Sequence, residues 1–568
     1  MRAAGVGTPL RANYPQVDHG AGGLVDVAVV SVPARARVAD ALRLAGARNA
    51  GLVSAGGQRW VLREDLRRAA SLGLGGLVAA ALARPLPAVG PDEGEVRVRR
   101  LLAVGAPAVL VRDRGGPLGA VRARPEPSWD GPALGRRFIE RLSEPARGAM
   151  ATLARLATER GARAFLAGGT VRDVLRGETT GRDLDVVVEG DGLTVARVLA
   201  AALGLTPGPA LVEHTRFLTA SLTLSSGRRL DVATARAERY ETPGALPRVI
   251  PATIGQDLAR RDFTVNALAV ELGSGGFGLL DPFGGRTDLT RRRLRVLHPL
   301  SFVEDPTRIF RAARYATRLG LALDGWTAGA QRLALRLAPY PALSGPRLAA
   351  ELERILADAR PEETLRRLGA AGVYRLLDAR YRFTHRTARR LRALPPALTW
   401  SGQRGLRVTA LELAVLALVG DQAAAVAGAA LERLGLRGEP LTRLTRGLES
   451  RVKLARQLNA SRRPSERARA LWDRSDVELA WLWLSGEAAV RAAVEWFLGH
   501  ARGMRPALSG DEVVALGVPR GPQVARALEA LRDLRLDDVV RDRDAEAAYV
   551  QDWITERGGV AWLPSSSS

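Results

Sequence analysis

At 568 residues the chain exceeds what one hydrophobic core holds, and roughly three to five domains of about 100 to 200 residues are expected. Its 46% hydrophobic and 25% charged residues exclude a disordered or fibrous chain, and the lack of cysteine excludes disulfides, thiolate zinc sites and cysteine nucleophiles. Basic residues outnumber acidic ones 84 to 60, for a net charge of +24, and Lys453 is the only lysine; the excess is arginine, whose planar fork favours a polyanion such as nucleic acid over a neutral metabolite.

In chain order, residues 1–24 are rich in Gly and Ala and read as a flexible N-terminus. They show no basic stretch followed by an apolar one, and no apolar run in the chain reaches about 18 residues, so a soluble cytoplasmic protein without membrane contact is expected. Residues 25–122 hold two similar units. In the first, 38–47 is predicted helical, 51–54 and 59–62 pair around Gly56 and Gly57, and 63–70 is a second helix. In the second, 96–104 is the helix, and 108–111 pairs with 118–121 around Gly115 and Gly116. This duplication resembles a tandem CBS pair, which implies a site for an adenosine nucleotide and a homodimer contact. The proline- and glycine-rich stretch 123–140 reads as a linker.

From 141 to 291 the pattern is α/β. Residues 163–190, RAFLAGGTVRDVLRGETTGRDLDVVVEG, read as a strand (163–167), a turn at Gly168 and Gly169, a helix (170–175), a polar loop and a strand (183–189). A glycine pair that opens a helix lets backbone N–H groups approach a phosphate closely, with Arg172 one turn in. Asp183 and Asp185, at i and i+2 on a strand, project from one face and can share divalent cations. Two hard carboxylates beside a phosphate cradle are what in-line nucleotidyl transfer needs, with Mg²⁺ as the natural ion. One ion activates the attacking 3′-hydroxyl; a second steadies the triphosphate and its pyrophosphate leaving group.

These residues resemble the motif of the class II tRNA nucleotidyltransferase and bacterial poly(A) polymerase family, and the motifs farther along the chain keep that family's order. The resemblance implies a multidomain α+β protein. Behind the CBS-like α/β module come a polymerase-β-like nucleotidyltransferase head (141–291), a helical neck with a nucleotide-template helix (292–375), and an all-α body and tail that binds tRNA (376–562). Residues 563–568 read as a disordered tail. Residues 229–236, RLDVATAR, resemble the second catalytic strand, with Asp231 as a third carboxylate near the metals, leading into a flexible loop at 237–251. RRDFTVNA at 260–267 resembles the nucleotide-handling motif, which implies phosphate contact by Arg261 and ribose contact by Asp262 with Asn266. Gly168, Gly169, Arg172 and Asp173 complete the implied nucleotide site. DPFGG at 281–285, with Asp288 and Leu289, resembles the hinge between head and neck.

Glu304, Asp305, Arg308, Arg311 and Arg314 are expected to line one face of a helix starting at Asp305. The family's EDxxR element implies that Asp305 and Arg308 face the Watson–Crick edge of the incoming base, since a carboxylate and a guanidinium together match cytosine and adenine. Arg311 and Arg314 would then face the triphosphate. Ser344 is expected to cap a neck helix just before Pro346. Residues 509–538 resemble the tail of tRNA nucleotidyltransferases, which implies RNA contacts at Gly517, Arg520, Gly521 and Pro522.

The five histidines form no HD pair or metal-ligand spacing, and there is no DHH motif, so no appended phosphohydrolase is expected. The expected activity is template-independent addition to the tRNA 3′ end from ATP, and in one alternative also from CTP. In the family, CC-adding members are marked by a defective loop; ERYETPGALPR at 238–248 looks complete. A CBS-like pair ahead of the head resembles some A-adding members, which tilts the expectation toward terminal A addition alongside a separate CC-adding partner enzyme. Full CCA addition, a bacterial poly(A) polymerase and a non-catalytic nucleotide-sensing RNA-binding protein are the alternatives.

Overall fold

The computed structural model describes residues 21–123, 140, 142, 144–178, 183–205, 208, 210–273 and 278–557. Residues 1–20, most of the expected linker and the serine-rich end lie outside them. The chain forms two compact units, Met1–Leu343 and Ser344–Ser568.

The first unit opens with the duplication. β1 (Ala28–Ser31), α1 (Val38–Ala47), β2 (Ala50–Ser54), β3 (Arg59–Leu62) and α2 (Arg63–Ser71) make the first copy, with β2 parallel to β1 and antiparallel to β3. After β4 (Arg84–Pro85), the second copy repeats that pairing with β5 (Ala88–Val89), α3 (Glu95–Ala103), β6 (Ala108–Asp113) and β7 (Gly116–Arg122). Leu52, Trp60 and Leu62 of the first copy share one core with Ala108, Leu110 and Ala120 of the second.

The α/β stretch follows as α4 (Glu144–Thr158), β8 (Arg163–Ala167), α5 (Gly169–Leu175), β9 (Asp183–Glu189), α6 (Gly192–Ala202), β10 (Leu211–His214), β11 (Thr219–Thr223) and β12 (Arg229–Thr234). Then come the hairpin β13 (Arg236–Arg239) and β14 (Arg248–Pro251), α7 (Ile254–Ala259), β15 (Ala269–Leu272) and β16 (Leu279–Leu280). Among the described residues the main sheet has the order β10-β11-β12-β9-β8-β15-β16. Leu184, Val186 and Val188 of β9 and Leu230 and Val232 of β12 pack under α4 and α6, with Leu153 and Leu199. Val187 points the other way, into a cluster with Phe165, Ile254 and Leu258. Strand alternation therefore puts Asp183, Asp185 and Asp231 on the α7 side. A one-residue slip would drive the carboxylates into the core and expose Leu184, so the hydrophobic pattern fixes their direction.

The unit closes with α8 (Gly285–Thr290), β17 (Arg293–Leu294), α9 (Ser301–Glu304), α10 (Thr307–Leu319), β18 (Ala322–Leu323) and α11 (Gly325–Arg336). Here the structure corrects the single helix expected from Asp305. α9 ends at Glu304, Asp305 is extended (φ −135°, ψ 96°) and α10 starts at Thr307. Pro306 explains the break, because proline pushes the residue before it out of the helical region. Glu304 consequently leaves the face shared by Arg308 and Arg311. Glycines on both sides of the expected hinge serve close packing: a Cβ on Gly284 of the hinge would lie 2.6 Å from the Val104 carbonyl, and one on Gly105 of the duplicated module would lie 2.2 Å from Phe283 O. The duplicated module and the hinge thus meet backbone to backbone.

Among the described residues of the second unit, every regular element is a helix. Helices Ala410–Val419 and Asp476–Ser485 are buried almost all round, and each starts with a capping box, Thr409 with Glu412 and Ser475 with Glu478. Ser344 does occupy the N-cap of helix Gly345–Leu356, with Pro346 in the first turn, but its side chain makes no capping bond. No helix among the described residues is long and apolar enough to cross a membrane.

Candidate active site

Parallel pairing of β9 with β12 sets Asp231 opposite Asp185, with Asp183 two residues along on the same face. Ser221 Oγ donates to Asp231 Oδ1, and Arg229 Nε donates to the same oxygen at 2.8 Å. Asp183 and Asp185 reach solvent, yet protein hems in the Asp185 carboxyl. This burial raises it above its ordinary range; Arg261 opposes the shift, while Asp231 and Asp183 add to it.

Among the described residues, no three His, Asp or Glu side chains form a group that could hold a metal ion by themselves. Asp183 and Asp185 offer a pair of hard oxygen donors instead. That suits Mg²⁺, which is ordinarily held by one or two carboxylates while water and substrate phosphates complete its shell. A cation there would also relieve the crowding of negative charge at Asp185.

Gly168, with φ 70° and ψ −128°, adopts a conformation that side-chain-bearing residues avoid. A Cβ here would lie 2.6 Å from Arg261 Nη1 and 3.8 Å from Asp185 Oδ2, so the missing side chain lets Arg261 lie across the turn beside the carboxylates. At Gly169, which opens α5, a Cβ would lie 3.5 Å from Arg172 Nη2. Arg261 is fixed from behind: Nε and Nη2 donate to Asp257 Oδ2 at 3.2 and 3.0 Å, and Nη1 donates to Asn266 O at 3.3 Å. Burial works against the Asp257 charge, but Arg261 and Arg260 hold its carboxyl below the usual range. Asp257 escaped the sequence reading, although its position four residues ahead of Arg261 was a signal for this pairing.

A second network lies beside the first. Arg172, 2% exposed, donates to both oxygens of Asp173 at 2.7 and 2.9 Å and to Asn266 Oδ1 at 2.6 Å. Asn266 Nδ2 donates to Asp262 Oδ1 at 2.9 Å, and Arg311 Nε and Nη2 donate to Asp262 Oδ2 at 2.9 and 2.7 Å. Both guanidinium groups lie over the ring of Tyr315, which the sequence reading also missed, at 5.4 and 5.5 Å. Burial opposes the Asp262 charge, and Arg311 and the Asn266 amide overcome it, holding the carboxyl below its ordinary range.

Arg308, 6% exposed, donates from Nη1 to Ser301 Oγ and from Nη2 to Arg260 O, each at 2.8 Å. Asp305 Oδ1 accepts from the Thr307 N–H at 3.0 Å and from its hydroxyl at 2.7 Å, which starts α10. Arg314 lies half-exposed on the same helix. The stretch expected as a loop, 237–251, is partly a hairpin, since β13 and β14 pair in register. Its tip closes on the same residues: Tyr240 Oη donates to Glu238 Oε2 at 2.9 Å and lies 3.4 Å from Arg308 Nη2, and the Gly244 N–H donates to Glu304 O at 3.1 Å.

Gly517, Arg520, Gly521 and Pro522 are exposed at the turn between helices Gly510–Ala515 and Pro522–Leu536 of the second unit. Gly517 and Gly521 have φ of 111° and 122°, which explains the glycines there.

Residues 164–295 match the model of the Poly A polymerase head domain. The A-adding tRNA nucleotidyltransferase of Geobacter sulfurreducens is 33% identical over 399 residues, covering 67% of this chain; the chain spans 44% of that longer protein. The CC-adding tRNA nucleotidyltransferase of Deinococcus radiodurans is 36% identical over 393 residues, covering 68% of this chain and 89% of that one. Among solved structures, the apo form II of a CCA-adding enzyme is similar with a TM-score of 0.65 and 29% identity, covering 74% of this chain and 98% of that chain.

Proposed function

The chain belongs to the class II tRNA nucleotidyltransferases, and we propose that it adds the terminal A of the 3′ CCA to tRNA, with ATP as donor and pyrophosphate as leaving group. The observation that carries this reading is the hairpin tip, bonded to Glu304 O through the Gly244 N–H and reaching Arg308 at 3.4 Å, because nucleotide choice needs an intact loop beside the base-facing residues. The similarity to an A-adding relative and the module ahead of the head support A addition. Full CCA addition, using CTP as well, is the second reading, favoured by the similarity to a CCA-adding enzyme.

Asp183 and Asp185 would hold two Mg²⁺ ions, which when bound supply the charge that activates the RNA 3′-hydroxyl and steadies the triphosphate. The chain's own side chains do the rest. Arg261, braced by Asp257 over the Gly168 turn, places a fixed positive charge for a phosphate beside the carboxylates, and Arg314 offers a second one. Asp305 and Arg308 face the base. Asp262 and Asn266 have their polar ends turned toward Arg311 and Arg172, so we assign them to holding those arginines in place rather than to direct ribose contact. Asp231, tied to Arg229, completes the acidic face. Arg520, with Gly517, Gly521 and Pro522, meets the RNA backbone. The repeated module is read as a CBS-like pair, on the strength of its duplicated topology, with an adenosine-nucleotide site and a homodimer contact; the enzyme works in the cytoplasm beside a CC-adding partner.

The test uses purified protein, Mg²⁺ and one labelled nucleotide at a time, with tRNA transcripts ending at the discriminator base, at C or at CC. The expected result is ATP incorporation into the CC-ended tRNA alone. Incorporation of CTP into the shorter transcripts would establish the second reading, and no incorporation at all would refute both.

A further inference from the structure

Glu304 stands where three parts of the first unit meet. Its side chain, 4% exposed, accepts from Arg68 Nη1 at 2.7 Å and lies 3.3 Å from His298 Nε2. Arg68 belongs to α2 of the duplicated module. The backbone oxygen of Glu304 takes the Gly244 N–H of the hairpin tip, and the next residue is Asp305. Burial pushes His298 below its ordinary range, and Arg68 adds to this, while Glu304 opposes it. Burial would raise Glu304, yet His298, Arg68 and Arg308 hold its carboxyl down, so Glu304 is charged. Arg68 is not a loose arm. Its module is anchored by Arg295 Nη1, which donates to Gly105 O at 2.8 Å, and by Arg84, which lies 4.0 Å over the Trp326 ring while bonding Asp65 at 2.9 Å.

We propose that Arg68 is a positioning residue for nucleotide choice: through Glu304, the duplicated module holds the Asp305–Arg308 pair and the Gly244 turn in register. This rests on the reading of Asp305 and Arg308 as the base-facing pair. Without Arg68, a buried carboxylate is left with His298 and Arg308 as its neighbours. Glu304 or His298 must then take up a proton, or Glu304 must draw Arg308 away from Ser301 and the Arg260 carbonyl. Either change loosens the surface that selects the base.

The experiment compares full-length wild type with Arg68→Ala, Arg68→Lys and Arg84→Ala. It reads kcat and KM for ATP and for CTP on CC-ended tRNA, together with hydrogen exchange at the Gly244 amide. In Arg68→Ala, the ratio of kcat/KM for ATP to that for CTP is expected to fall about tenfold, within the range of couplings between sites, and Gly244 is expected to exchange faster by a similar factor. Arg68→Lys should restore most of both, because the structure needs one charged donor at Glu304 Oε1. Arg84→Ala removes an anchor of α2 but leaves the Arg68–Glu304 pair its own atoms, and should lower the ratio clearly less than Arg68→Ala does. Arg68→Ala with an unchanged ratio and unchanged exchange overturns the proposal, as does an equal loss of discrimination in Arg84→Ala. If the wild type extends no RNA, the proposed function fails by itself, and the Gly244 exchange rate alone then decides the coupling.

Discussion

Replacing Tyr240 by phenylalanine removes one hydroxyl from the hairpin and changes little else. Tyr240 is 8% exposed, and its Oη makes two contacts: a 2.9 Å bond to Glu238 Oε2 and a 3.4 Å approach from Arg308 Nη2. The longer contact is at the limit of a hydrogen bond and contributes little. The shorter one has a charged acceptor, for which net contributions of about 1.5–3 kcal/mol are usual. Glu238 keeps Arg260 Nη1 at 2.8 Å, and Arg308 keeps Ser301 and the Arg260 carbonyl, so no charge is stranded. Because Glu238 and Tyr240 both belong to the hairpin, the loss, near the bottom of that range at about 1.5 kcal/mol, loosens the hairpin itself, by roughly tenfold in the population of its ordered form. If the ordered hairpin selects ATP, kcat/KM for ATP on CC-ended tRNA falls about tenfold in Tyr240→Phe, with tRNA affinity unchanged. Steady-state kinetics with ATP and tRNA varied separately measure this. A variant within twofold of wild type would refute the link between hairpin and base choice.

Asp183→Ala and Asp185→Ala should each abolish nucleotide addition. Asp183→Ala should leave unfolding stability within about 0.5 kcal/mol of wild type, and Asp185→Ala, which removes a hemmed-in carboxylate crowded by Asp231 and Asp183, should be at least as stable as wild type, as urea titration would show. Asp257 and Asp262 both titrate below the ordinary carboxylate value of 3.8 in the folded chain. Their contribution to stability is thus fully present above that value and is lost as the pH falls through the lower folded values. Melting curves between about pH 5 and pH 2 should show this loss, and Asp262→Asn, less stable at neutral pH, should show a shallower one; parallel curves would contradict the assignment. Arg520→Ala should reduce by about one the slope of log tRNA affinity against log salt and leave the KM for ATP alone, whereas an unchanged slope would remove Arg520 from the RNA contact.

The local parts of the site were legible because their signals are short-range. Strands 163–167 and 183–189 are short β-rich runs bounded by turn and polar residues, so their bounds match the structure, and the alternation at the start of the second sets the side on which Asp183 and Asp185 stand. What the sequence hid is tertiary. Glu304 reads as one of a row of charges on a helix, but Pro306 breaks the helix, and Glu304 pairs with a residue 236 positions away. Nothing local marks such a contact. Asp262 and Asn266 follow a motif, yet which way each side chain turns depends on Arg172 and Arg311, which arrive from different elements. Tyr240 and Glu238 fall in a stretch read only as a loop, where hairpin pairing, not periodicity, gives them their partners.

Single-nucleotide completion of a tRNA 3′ end is read from the intact mass of a CC-ended tRNA after exhaustive incubation with the protein, Mg²⁺ and ATP. The expected product is heavier by one adenylate and grows no further. A ladder of products carrying many adenylates would instead make the chain a poly(A) polymerase, and an unchanged mass would contradict the claim outright.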